Sequence, residues 1–141
     1  MPDWGVPYLK AKIDTGARTS SLHAFDLETF DRDGTEWVRF EIHPWQRTTA
    51  DGVLAEAPVA AWRPVRSSSG KVDERPVVNT TMVIASTAVN AEITLTRRDE
   101  MGFRMLIGRE AIRTRFLVDP GASYRGGRPD KAIRQRNRGR A

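Results

Sequence analysis

The apolar positions of this chain come in short runs separated by turn residues. Trp37-Val38-Arg39-Phe40-Glu41-Ile42 alternates with period two, which puts Val38, Phe40 and Ile42 on one face of a half-buried strand. Val6 to Ile13 and Thr19 to Ala24 read as strands on either side of Asp14-Thr15-Gly16-Ala17, while Phe25 to Phe30 fits strand or loop equally well. Asp31-Arg32-Asp33-Gly34 is a turn signal, and His43-Pro44 closes the alternating strand. Val53 to Trp62 is extended again, with Pro58 and Pro64 marking sheet edges. Val65 to Val72 carries polar turn residues between extended segments, the pattern of a hairpin tip. Arg75 to Ser86 and Ala91 to Thr96 are rich in β-branched residues and break at Val89-Asn90. Arg104 to Ile107 and Phe116 to Val118 are short apolar runs, and only Arg109 to Arg113 asks to be helical. About seven strands with one short helix near the C-terminus predict an all-β closed sheet.

Composition narrows the class. A chain of 141 residues with 39% apolar content holds one domain with a modest core. There is no cysteine, which excludes disulfides, thiolate metal sites and a cysteine nucleophile and suits a reducing, cytoplasmic setting. No apolar run is long enough for a membrane span, and the first residues lack the layout of a signal peptide. The formal charge of +5 is unevenly placed: residues 125–141 carry seven Lys or Arg against Asp130 alone, a net of +6, so residues 1–124 sum to −1. The expected division is a folded domain over 1–124 and a basic, disordered tail over 125–141. That tail serves either solubility or contact with nucleic acid or the ribosome.

The chemistry-bearing stretch is Lys12-Ile13-Asp14-Thr15-Gly16-Ala17-Arg18-Thr19-Ser20-Ser21-Leu22-His23. An apolar strand delivers one carboxylate to a tight turn, where Gly16 lets the backbone approach closely. Asp14 there is either the acceptor of an Asx-type turn or an acid aimed at a substrate. Downstream, Arg104-Met105-Leu106-Ile107-Gly108-Arg109-Glu110-Ala111-Ile112 supplies an apolar strand, a glycine, a charged pair and a helical start.

Taken in that order, these strings, with Phe116-Leu117-Val118-Asp119-Pro120-Gly121-Ala122-Ser123, resemble the retropepsin-like aspartic peptidases. The closer likeness is to a bacterial branch whose members carry the label ATP-dependent zinc protease. The resemblance spans roughly Val6 to Tyr124. It implies an acid-protease barrel and hydrolysis of peptide or isopeptide-like amide bonds by a pair of carboxylates sharing one proton. It also implies Asp14 as the catalytic acid, with Thr15 and Gly16 holding its geometry. Ala17 and Arg18 would line the substrate cleft, a flap would include Ser67, Ser68, Ser69 and Gly70, and Ile107, Gly108, Arg109 and Glu110 would support the site. One Asp-Thr-Gly per chain implies a homodimer with one Asp14 from each copy. No cofactor and no metal are implied. Some related proteins are associated with a glutamate ligase that tails a ribosomal protein, which makes an acidic, poly-glutamate tail a candidate substrate.

Several readings compete. Asp119-Pro120-Gly121-Ala122 echoes the Asp14 turn, so an intramolecular pair is conceivable, although Asp119 also fits a plain turn after a strand. A zinc hydrolase finds little support: His23 and His43 are the two histidines, and His-Glu-x-x-His is absent. His23 fits a hydrogen-bonded core residue and His43 a surface one. An inactive barrel that binds peptides or the ribosome is the non-enzyme alternative. Arg18 stands where viral enzymes carry an acid paired to the Arg after the second glycine, so Arg18 either bridges to Glu110 or faces substrate.

Overall fold

The computed structural model describes residues 1–45, 51–66, 69–97 and 103–136. Nine strands are present among them, β1 (Lys12–Asp14), β2 (Ser20–His23), β3 (Phe25–Arg32), β4 (Thr35–Ile42), β5 (Val53–Pro58), β6 (Ala61–Arg66), β7 (Val72–Ile84), β8 (Thr87–Thr96) and β9 (Met105–Gly108). They form a six-stranded sheet in the order β1-β9-β2-β8-β7-β6 and a three-stranded sheet in the order β3-β4-β5. β1 runs parallel to β9 and β2 parallel to β8, while the other pairings are antiparallel.

The alternation in β4 is realised as expected. Val38, Phe40 and Ile42 are fully buried, and they meet Leu22, Val78, Ile93, Leu95 and Met105 of the larger sheet in one apolar cluster. Trp4 sets its ring edge-on to Phe40, with centroids 5.3 Å apart. The all-β expectation holds, but the expected closed barrel does not appear among the described residues. The six-stranded sheet ends at β1 and β6 and the three-stranded one at β3 and β5, so two open sheets share the core. Both prolines flagged as edge markers sit where ladders stop: Pro64 lies in edge strand β6, and Pro58 ends edge strand β5.

Other boundaries differ for local reasons. The first strand covers only Lys12–Asp14. Ahead of it, Pro2–Trp4 forms a 3₁₀ turn, and Asp3 accepts hydrogen bonds from the Thr80 hydroxyl (3.0 Å) and the Thr81 N–H (3.1 Å) of β7. β7 and β8 turn at Ala85-Ser86 rather than at Val89-Asn90, because Val89 is buried opposite Met82. Phe116 to Val118 is no strand: the Phe116 N–H bonds back to the Ile112 carbonyl, and Leu117 stands fully exposed.

The expected single helix is α1 (Arg109–Ile112), and a second, α2 (Lys131–Arg136), lies inside the stretch expected to be disordered. Over 125–136 that expectation is corrected. A Cβ on Gly126 would lie 3.3 Å from Ala85, and Ile133 lines a groove with Pro7, Tyr8, Pro44 and Trp45. No helix among the described residues is long and apolar enough to cross a membrane.

Two hairpins use two-residue loops with positive φ at both loop positions, as the twist of antiparallel strands favours. One is Asp33-Gly34 (φ 53° and 79°), the other Ala85-Ser86 (φ 47° and 69°). Replacing Ser86 by Gly should relieve strain and raise the urea midpoint by about 0.5–1 kcal/mol equivalent. An unchanged or lower midpoint in chemical denaturation would show that the loop is not strained.

Candidate active site

The Asp14 turn lies where β1, β9 and α1 meet. Parallel pairing registers Lys12 with Leu106, Ile13 with Ile107 and Asp14 with Gly108, which brings the two sequence strings side by side. Within the turn, the Gly16 N–H donates to Asp14 Oδ1 (3.1 Å) and the Ala17 N–H to the Asp14 carbonyl (3.1 Å). The carboxylate is therefore oriented by its own loop. It is half-buried, with Thr15 and Gly16 exposed beside it.

The start of α1 fastens that loop. The first N–H groups of a helix have no acceptor within the helix; here the Arg109 N–H donates to the Ala17 carbonyl (2.9 Å) and the Glu110 N–H to the Arg18 carbonyl (3.1 Å). The Arg109 guanidinium adds a bond to the Gly16 carbonyl (3.3 Å). Gly108 is required by space: a Cβ there would lie 2.9 Å from Thr19 Cα and closer still to the Thr19 carbonyl. Its N–H donates to the hydroxyl of buried Ser20 (3.1 Å). Ser20 is a support that the sequence reading passed over; a small hydroxyl at an inward position of β2 was the available signal.

Arg18 takes the first of its two alternatives. Its Nε lies 2.8 Å from Glu110 Oε1. That hydrogen bond is the main cause holding the Glu110 carboxyl below, and the Arg18 guanidinium above, their ordinary pKa ranges. Both groups face solvent, so the bridge is screened. Next to it a groove of about 200 Å³ is lined by Thr19, Ser20, Asn90, Glu92 and Glu110 among others.

The remaining sequence candidates fall in different places. Ile107 is buried in β9. Ser67 and Ser68 lie outside the described residues, and Ser69 and Gly70 sit at the β6–β7 tip, across the six-stranded sheet from β1. Asp119 forms a turn with the same bonding as Asp14: the Gly121 N–H reaches its Oδ1 (3.0 Å) and the Ala122 N–H its carbonyl (3.2 Å).

The two histidines flank Phe25, at centroid distances of 4.2 Å for His23 and 4.0 Å for His43. The His43 side chain is largely enclosed rather than on the surface, since it stacks on that ring. Among the described residues no three His, Cys, Asp or Glu side chains converge as a metal set.

Residues 2–129 match the RimB-like family, described as retropepsin-like aspartic endopeptidase RimB. The chain belongs to this family. It is 44% identical over 120 residues to a probable alpha-L-glutamate ligase of Desulfotalea psychrophila, covering 85% of this chain and 26% of that protein. A protein of the same description from Parasynechococcus marenigrum is 45% identical over 127 residues, covering 90% and 27%. The chain thus spans about a quarter of the length of these relatives. Among solved structures it resembles Lpg0085 of Legionella pneumophila, titled as of unknown function, with a TM-score of 0.66, 26% identity and coverage of 82% of this chain and 83% of that one. The matched range includes both the Asp14 turn and the Gly108 strand.

Gly108→Ala should lower stability by roughly 1–3 kcal/mol, since the methyl group collides with backbone that cannot step aside. A urea midpoint equal to that of the parent would show that Thr19 yields freely. Glu110 supplies a pH test. A lowered folded pKa contributes stability above the ordinary carboxylate range and loses it as pH falls through the folded value. The midpoint difference between parent and Glu110→Gln should therefore be present near neutral pH and vanish at about pH 2. A difference that persists in acid would assign it to packing.

Proposed function

We propose that this domain is an aspartic endopeptidase that hydrolyses amide bonds in acidic polypeptides, with Asp14 as its catalytic carboxylate. The observation that carries the reading is the oriented, half-exposed Asp14 in a loop fastened to α1, within a chain of the RimB-like family. In this reading two carboxylates share one proton, because both cannot ionise at a separation of about 3 Å. The ionised member takes a proton from water, the resulting hydroxide attacks the scissile carbonyl carbon, and the protonated member hydrogen-bonds to the developing oxyanion.

The second carboxylate is assigned to Asp14 of a second copy. Support comes from the single Asp-Thr-Gly in the chain and from β1, which forms a sheet edge and exposes Ile13. The exposed Leu117 and Val118 add apolar surface of the kind an interface covers. An acidic substrate is favoured because relatives more than three times as long are named probable alpha-L-glutamate ligases, and a hydrolase joined to a ligase would act on the same glutamate-rich product. We place the ligation chemistry in the other three quarters of those proteins. The absence of cysteine fits a reducing compartment, and we place the activity in the cytoplasm.

Asp14→Asn should abolish hydrolysis of glutamate-rich peptides, by a factor of about 10³ or more, while leaving thermal unfolding unchanged. If sites are shared between copies, adding an equal amount of Asp14→Asn protein should cut activity to about half that of the same wild-type protein alone, through mixed dimers. Unaltered activity on mixing would mean that one chain carries both acids. Loss of activity to a chelator would replace the aspartic mechanism by a metal-dependent one.

A further inference from the structure

The stretch from Arg109 to Arg134 carries Arg109, Arg113, Arg115, Arg125, Arg128, Lys131 and Arg134 against Glu110, Asp119 and Asp130. Part of this excess is held against the body at defined points. The Arg128 guanidinium lies 4.1 Å from the centre of the Tyr124 ring, and Lys10 Nζ lies 5.8 Å from the same ring and 5.0 Å from that of Phe103. Further on, Ile133 lines the groove with Pro7, Tyr8, Pro44, Trp45 and Asp51, and Arg134 Nε donates to the Pro129 carbonyl (3.0 Å). Two anchors, Tyr124 and Ile133, thus fix Arg128, Lys131 and Arg134 beside the N-terminal segment. That segment continues through exposed Lys10 and Lys12 into β1, where Lys12 and Asp14 share a face by the alternation of a strand.

We propose that Arg128, Lys131, Lys10 and Lys12 form a docking surface for an acidic polypeptide, leading it toward Asp14; this rests on the reading above. Charge complementarity supports the occupant. It also places the recognition of carboxylates away from Arg18, whose guanidinium is engaged by Glu110. A nucleic acid fits less well. Base stacking needs free aromatic faces, whereas cations approach the Tyr124 ring and Ile133 shares the groove with Tyr8 and Trp45.

The test uses the full chain carrying Asp14→Asn, so that binding is read without turnover, and a fluorescein-labelled oligo-glutamate peptide followed by anisotropy. Adding Arg128→Gln and Lys131→Gln should weaken binding roughly 3- to 20-fold at low salt, with the loss shrinking as salt rises. Ile133→Ala keeps every charge but loosens the anchor, and it should also weaken binding. Parent-like affinity in either variant overturns the docked surface, as does tighter binding of a single-stranded oligonucleotide of equal charge. The two proposals fail separately. If wild-type protein cleaves glutamate-rich peptides and the Arg128→Gln, Lys131→Gln variant of it shows an unchanged KM, the surface falls and the peptidase stands. If the peptide binds through these cations but no amide bond is ever cleaved, the peptidase falls and the surface stands.

Discussion

Strand β9 runs between β1 and β2 because nothing projects from Gly108 toward Thr19. Any side chain at that position would push the two segments apart, and with them the register that sets Asp14 beside Gly108. The same close approach puts the Gly108 N–H on Ser20 Oγ and starts α1 directly over the Asp14 loop. Helix α1 has one turn and little stability of its own; its leading N–H groups find acceptors in the Ala17 and Arg18 carbonyls, so helix and loop each complete the other.

Where local residue types decide the backbone, the sequence reading reached the observed structure. Val38, Phe40 and Ile42 form the core face of β4, Asp33-Gly34 makes its hairpin, and Arg109 opens a helix. It fell short where a tertiary contact overrides local preference. Ala85-Ser86 takes positive φ without a glycine because β7 and β8 pair on both sides of it. Residues 125–136 look too polar to order, yet a single isoleucine seated in a groove and an arginine over a tyrosine ring hold them. At the candidate site the Asp14 turn, Gly108 and the Arg18–Glu110 bridge could all be anticipated from residue types. The role of Ser20 could not, since it depends on β2 lying next to β9.

Electrostatics follow a similar division. On the three-stranded sheet Glu56 is bonded to both Arg32 (2.8 Å) and Arg39 (2.9 Å), and the Arg32 guanidinium lies over Trp37. Arg63 is likewise paired with Glu92. The net charge of the chain is therefore a poor guide to any one surface. What matters is where the cations lie along the fold, and from Arg109 to Arg134 seven Lys or Arg stand against three acids.

The pairing of β1 with β9 also has a bearing on the order of events in folding. Asp14 belongs to the first tenth of the chain, while the strand and helix that orient it begin at Met105. Contacts of such sequence separation form late, because a long loop must close before they contribute anything. Asp14 is made well before residues 105–112, yet it has no defined orientation until they have been made. For a domain read as a peptidase, this topology withholds an oriented carboxylate until β9 and α1 have been made, so a chain cut short of them would be inert.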